Sequence, residues 1–268
     1  MSRTIGCIGC GNMGGAILAG FADRLGDKGY SFCGYNRTPE RMRALADKGV
    51  RVMPDVLETA RKSDVLLLAV KPYQVAAVLE EMRPALDGGK VLVSVAAGVS
   101  LKSLREAVGG QCPVVRCMPN TPALVGEGVF ALCFEDPALD REGKLELLEL
   151  FGVLGLCLEM PEARFTAFSA LIGAGPAYVF EMMQGLVQAG VTLGFQHKEA
   201  RRMVAALFVG SARMAEQSPA PLMQLRDEVC SPGGLTIAGV NHLDRVGLLG
   251  QLVDAVLEAD ARGREMES

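Results

Sequence analysis

A chain of 268 residues, half of them hydrophobic and 22% charged, is long enough for one or two domains with real cores and too apolar for disorder. A formal charge of −4, with no block of like charges, offers nothing to nucleic acid or an anionic membrane surface. No apolar run reaches the ~20 residues a membrane helix needs, and no basic leader precedes Thr4-Ile5-Gly6-Cys7-Ile8, so a soluble cytoplasmic protein is expected.

In chain order, apolar runs at Ile5–Ile8, Phe32–Tyr35, Val65–Val70, Val91–Val95 and Val114–Cys117 are continuous rather than alternating, as in strands buried on both faces. Helical spans separate them at Met13–Arg24, Pro39–Lys48, Gln74–Met82 and Leu101–Ala107. This alternation implies a mainly parallel, doubly wound sheet. Gly128–Phe134 adds a β segment, Arg141–Leu150 a helix, and Leu154–Leu158 a possible edge strand.

Beyond Pro161 strand signals stop and helices follow one another. Pro176, after Gly175, suits the first position of a helix, where its missing N–H costs nothing. Polar residues on that helix fall in one stripe, Glu181, Gln184, Gln188 and Thr192, and the next helix, Lys198 to Gln217, is almost uncharged from Met203 to Ala212. Helices apolar on most faces must be buried, and a small domain cannot hide two, so a partner subunit is expected. The organisation expected is an α/β domain over 1–160 and an all-α dimerisation domain over 161–268.

Gly9-Cys10-Gly11-Asn12-Met13-Gly14 is a G-x-G-x-x-G that follows the first strand and opens a helix. Gly9 permits a tight turn, Gly11 lets a pyrophosphate approach the backbone, and Gly14 lets the helix pack on the strand. The phosphates would sit at a helix N-terminus, where free N–H groups favour negative charge. These features give the N-terminal half a Rossmann reading.

The second strand selects the cofactor. An NAD enzyme usually places a carboxylate ~20 residues past the motif to hold the ribose hydroxyl. Here Asn36-Arg37-Thr38 stands there instead, offering donors and a guanidinium to a 2′-phosphate. NADPH is therefore expected, with NADH less favoured; the plainer alternative makes Arg37 a surface charge and Thr38 a helix cap. Ala69-Val70-Lys71-Pro72 and Ser94-Val95-Ala96-Ala97-Gly98 end two further strands at the edge where such folds bind ligands. Of eight cysteines only Cys7 and Cys10 form a C-x-x-C, no second pair has zinc spacing, and both histidines are isolated, so no metal is expected and the thiols read as small reduced hydrophobes.

Four segments occur here in the order seen in pyrroline-5-carboxylate reductase: Ile8 to Gly14, Ala69-Val70-Lys71-Pro72, Arg116-Cys117-Met118-Pro119-Asn120-Thr121-Pro122, and Ser231-Pro232-Gly233-Gly234. The chain resembles that family nearly end to end. The resemblance implies an interleaved homodimer that reduces a cyclic imine acid to proline. Gly9, Gly11, Asn12, Met13, Gly14, Asn36, Arg37 and Thr38 would bind NADPH, with Ala69, Val70, Lys71, Pro72, Ala97 and Asn120 near the nicotinamide and its ribose. Backbone from Val229, Cys230, Ser231, Gly233, Gly234, Leu235 and Thr236 of a partner subunit would hold the substrate carboxylate, and the Thr236 hydroxyl its ring nitrogen.

The family's usual S-G-S-G-P-A reads Ile172-Gly173-Ala174-Gly175-Pro176-Ala177 here, and Cys230 and Leu235 replace threonines around the glycines. On residue chemistry alone Thr236 is equally a helix N-cap; the resemblance favours the donor role. The competing readings are a reductase of another cyclic imine, a β-hydroxyacid dehydrogenase, and a non-catalytic NADPH sensor. A hydroxyacid dehydrogenase would need a catalytic lysine, for which Lys198 beside His197 lacks small polar neighbours. A sensor needs no second anion site such as the Gly-Gly turn.

Overall fold

The computed structural model describes residues 3–267. Among these, eight strands form one sheet: β1 Arg3–Ile8, β2 Tyr30–Tyr35, β3 Arg51–Val52, β4 Val65–Leu68, β5 Val91–Ser94, β6 Val114–Met118, β7 Gly128–Cys133 and β8 Gly155–Glu159. Their order is β3-β2-β1-β4-β5-β6-β7-β8, parallel throughout except for β6 against β7. The interleaved helices are α1 Asn12–Leu25, α2 Arg43–Ala46, α3 Val56–Lys62, α4 Val75–Met82, α5 Leu101–Val108, α6 Arg141–Gly152 and α7 Phe165–Phe168. The chain order leaves β1 beside both β2 and β4, so the direction of winding reverses at β1.

The continuous apolar runs are explained by cover on both faces. Val65 and Leu67 of β4 join a core with Ile17, Leu18 and Phe21 of α1 and Leu147, Leu150 and Phe151 of α6. Leu66 and Leu68 face the opposite layer, with Ala60 of α3, Leu79 of α4, Leu104 of α5 and Phe165 of α7. Phe151 is the aromatic hinge of the first layer: its ring meets Phe21 edge-on at 5.3 Å and Phe130 of β7 at 5.4 Å. Arg116 of β6 is buried in the second layer, paired with Glu162 and lying 4.8 Å over the Phe165 ring. Glu162 also accepts the Leu101 N–H, which ties the start of α5 to the same carboxylate.

Three local features differ from the sequence expectations. β3 is two residues long and exposed, too short to leave a hydrophobic pattern, and α3 is a single buried face of Val56, Thr59 and Ala60. The N-cap of α3 is Asp55, whose carboxylate accepts the Glu58 N–H at 2.7 Å. The expected helix over Pro39–Lys48 breaks into a 3₁₀ turn, Pro39–Met42, and the short α2. The strand expected over Val65–Val70 stops at Leu68, which leaves Ala69 to Lys71 as a loop ahead of a 3₁₀ turn, Pro72–Gln74.

The chain separates into two compact units, one up to Gly173 together with the residues from Arg262, the other Ala174–Ala261. The second is all helical: α8 Gly175–Thr192, α9 His197–Gln217, α10 Leu222–Glu228, α11 Leu235–Arg245 and α12, Leu248–Glu267, whose end groups with the first unit. Gly190 lets α8 approach α9 closely, since a Cβ there would lie 3.0 Å from that of Ala200. Its buried apolar residues are few, Val187, Ala200 and Val204. Phe180, Leu193, Leu207, Met214 and Leu257 are each more than half exposed on the single chain. Apolar surface on this scale marks an interaction face.

Replacing Phe151 by alanine removes the ring shared by α1, α6 and β7. The expected loss is about 3–5 kcal/mol of stability, read from urea unfolding followed by circular dichroism.

Candidate functional site

The parallel strands β1, β2, β4 and β5 all end at one edge of the first unit, and a cleft of ≈ 730 Å³ opens there. It gathers Gly9, Gly11, Asn12, Met13, Asn36, Arg37, Thr38, Ala69 to Pro72 and Ala97, residues that lie as much as 88 positions apart between Gly9 and Ala97.

The three motif glycines are required for three different reasons. Gly9 has φ +93°, and a Cβ there would strike the Ala69 carbonyl at 2.7 Å. Gly14 lies outside the cleft lining; a Cβ on it would meet the Gly9 carbonyl oxygen at 2.5 Å and Ala69 Cβ at 2.6 Å. Gly11 is open: nothing lies nearer than 3.8 Å to its missing Cβ, so the space in front of it is free for a ligand. It is also the N-cap of α1, with no side-chain cap and no acid in the first turn. The Asn12, Met13 and Gly14 N–H groups at this uncapped end can meet an anion.

Also in the cleft lining, the Asn36 amide donates to the Thr38 carbonyl at 3.0 Å and so shapes the loop after β2. Thr38 stands at the N-cap of the 3₁₀ turn, yet its hydroxyl makes no capping bond, which leaves it available to the cleft. Arg37 is exposed and enters no ion pair among the described residues. Arg41, which sequence reasoning did not single out, lines the same cleft and donates to Asn12 Oδ1 at 3.1 Å. Its signal was faint: one more surface arginine on a segment expected to be plain helix.

After β4 the Lys71 N–H is held by Gln74 Oε1 at 3.2 Å, which shapes the backbone there. Ala97 follows β5, where the Ser94 hydroxyl accepts the Ala96 N–H at 3.4 Å. Asn120 is placed differently. It is buried outside the cleft lining, accepts the Val129 N–H at 2.9 Å and donates to the Ile172 carbonyl at 3.3 Å, so both ends of its amide are engaged within the protein.

Val229 to Thr236 lies in the second unit, between α10 and α11. The Gly234 N–H bonds the Ser231 carbonyl at 3.0 Å, closing a turn in which Gly233 has φ +69°. Gly234, not Thr236, is the N-cap of α11, and Thr236 is the second residue of the helix. The capping alternative for Thr236 therefore falls, and its hydroxyl is exposed. The Leu235, Thr236 and Ile237 N–H groups at the start of α11 have no intrahelical acceptor.

Residues 162–266 match the family model described as pyrroline-5-carboxylate reductase dimerisation, and residues 4–98 match one described as NADP oxidoreductase, coenzyme F420-dependent. The chain is 36% identical to the pyrroline-5-carboxylate reductase of Pisum sativum over 99% of its own length and 96% of the relative's. The chain belongs to the pyrroline-5-carboxylate reductase family.

Solved reductases superpose along the whole chain. That of Coxiella burnetii is 30% identical with a TM-score of 0.91, covering 100% of both chains. That of Plasmodium falciparum, determined with NADP bound, is 30% identical with a TM-score of 0.86, covering 99% of this chain and 98% of that one. Membership in this reductase family accounts for the apolar helical unit: it is a dimerisation domain, and the protein is a homo-oligomer. No helix among the described residues is long and apolar enough to cross a membrane.

Most thiols of this reductase are buried among apolar side chains. All eight are unbridged, and Cys7, Cys10, Cys33 and Cys117 are buried. Burial pushes the thiols of Cys112, Cys133 and Cys157 up to about 11, so they stay protonated at neutral pH.

The glycine geometry predicts a split in stability. Gly14→Ala should cost roughly 1–3 kcal/mol through overpacking against Gly9 and Ala69, whereas Gly11→Ala should leave thermal unfolding of the unliganded protein nearly unchanged. Parallel thermal melts of the two variants measure it.

Proposed function

We propose that the protein reduces 1-pyrroline-5-carboxylate to L-proline with NADPH, the last step in making proline, in the cytoplasm. The observation that carries this reading is the pairing of a dinucleotide-shaped cleft with a separate Gly-Gly anion turn in a chain of this family. The cleft fits the cofactor: open space before Gly11, an uncapped helix terminus, and two lining arginines, Arg37 and Arg41, without an ion pair among the described residues. Gly9, Gly11, Asn12 and Met13 would hold the pyrophosphate, and Asn36, Arg37 and Thr38 the adenosine phosphate. Ala69 to Pro72 and Ala97 would flank the nicotinamide. Gly14 and Asn120 would support this set by packing and by bridging Val129 to Ile172.

Bound there, NADPH would supply a hydride to the imine carbon. Every other task falls to the chain. The turn from Val229 through Cys230, Ser231, Gly233, Gly234 and Leu235 to Thr236, delivered by the partner subunit as the resemblance implies, would bind the substrate carboxylate through exposed N–H groups. Free of capping duty, the Thr236 hydroxyl would donate to the ring nitrogen and fix the face of the imine. A threonine is a poor acid, so the nitrogen's proton comes from the iminium itself or from water, and Thr236 orients it. Holding the reacting atoms in this way can lower the barrier by ~7–11 kcal/mol. The hydroxyacid alternative gains nothing from the fold, since Lys198 is exposed in the first turn of α9.

Loss of NADPH absorbance on adding pyrroline-5-carboxylate tests the reading, with NADH and a six-membered imine acid in parallel. Thr236→Ala should lower kcat/KM roughly 10- to 100-fold while leaving the dissociation constant for NADPH unchanged. A wild-type protein that binds NADPH but turns over no imine acid would sink the substrate assignment.

A further inference from the structure

The chain crosses between its two units twice, and both crossings reach one segment of the first unit. It leaves that unit at Gly173 and returns to it within α12 at Arg262. The returning end of α12 packs on α7, since a Cβ on Gly263 would lie 2.7 Å from Thr166 Cγ2. The departing end is a π turn, Ser169–Gly173, that continues α7 directly. Turns of this kind are rare inside helices and gather at functional sites. Two side chains from the end of β6 hold the segment to the sheet. Arg116, on the strand itself, pairs with Glu162 and lies over Phe165. Asn120, just past the strand and only 7% exposed, donates to the Ile172 carbonyl in the π turn at 3.3 Å. Its oxygen accepts the Val129 N–H of β7 at 2.9 Å. The two bonds use opposite halves of one amide, and an ionised carboxylate of the same shape could make only the second.

We infer that Asn120 is a positioning residue for hydride transfer: by holding Ile172 it fixes the joint from which the helical unit departs. The inference rests on the reduction proposed above, in which the first unit holds the cofactor and a helical unit supplies the substrate turn. Hydride donor and acceptor must then be brought together through this joint. Transfer needs the reacting atoms about 3–3.5 Å apart, and an error of ~1 Å can cost about 100-fold. A single buried amide at the joint is therefore enough to govern the rate. The role requires no contact with the dinucleotide. Both ends of the Asn120 amide are engaged within the protein, and the residue lies outside the cleft lining.

Asn120→Asp and Asn120→Ala test this, by kcat on pyrroline-5-carboxylate, the dissociation constant for NADPH, and hydrogen exchange of the ligand-free protein. An ionised aspartate keeps the Val129 bond and faces the Ile172 carbonyl without a proton; a protonated one regains a donor and can restore both. At neutral pH Asn120→Asp should lower kcat roughly 10- to 100-fold and leave NADPH binding within about twofold. Its ratio to wild type should recover as pH falls and the carboxyl takes up a proton, whereas Asn120→Ala should show the same deficit at every pH. Exchange in Asn120→Asp should quicken across residues 169–176 more than around Val129. A wild-type kcat in either folded variant would overturn the inference, as would a deficit in Asn120→Asp that ignores pH. NADPH binding weakened in step with kcat would put Asn120 on the cofactor and overturn it too. A wild-type protein that reduces no imine acid would sink the underlying reduction instead, an outcome kept apart because the exchange pattern needs no substrate. Thermal melts identify misfolding, and if Asn120→Asp does not fold, Asn120→Ala carries the comparison of kcat with NADPH binding.

Discussion

The close meeting of three backbone segments at the end of β1 is the constraint on which the rest depends. Gly9 turns the chain with a positive φ, the start of α1 folds back through Gly14 onto the Gly9 carbonyl, and Ala69 presses on both from the end of β4. No side chain larger than hydrogen fits at either glycine. That contact fixes where α1 begins and points its uncapped terminus along the strand ends. β4 ends at Leu68, and Ala69 to Pro72 beyond it line the cleft. The site follows from packing: Gly9 and Gly14 place the helix terminus, and it is bare because its N-cap, Gly11, carries no side chain.

The two units solve opposite problems. In the first, both faces of the sheet are covered, the aromatic cluster around Phe151 closes one layer, and a buried arginine shared by Glu162 and Phe165 pins the other. In the second, a core of Val187, Ala200 and Val204 is too small to hold five helices by itself. The exposed apolar side chains of α8, α9 and α12 are the complement of that deficit, and a second copy of the dimerisation domain covers them. Folding and assembly are therefore coupled in the helical part far more than in the sheet.

Cofactor recognition shows how much shape depends on small polar contacts. Asn36 folds its loop onto Thr38, and the 3₁₀ turn that follows brings Arg41 back over Asn12. A regular helix across Pro39–Lys48 would have pointed Arg41 elsewhere. The break in that helix is a structural feature of the site, and Met42, which closes the 3₁₀ turn, is buried.

The amino-acid sequence alone determined the alternation of buried strands and helices, the glycine turn, the absence of a carboxylate after β2, and the apolar excess of the C-terminal helices. Each is a pattern of residue type at short range, which the chain carries whatever its fold. Tertiary structure decided what short range cannot encode. It brought Arg41 into the cleft through a helix break that no local signal announced, and it turned Asn120 inward to bridge Val129 and Ile172. It also gave the N-cap of α11 to Gly234, which freed Thr236 from the capping role its neighbours had suggested. In all three cases the outcome depended on which backbone groups came to lie beside the side chain, and the packing of distant segments sets that.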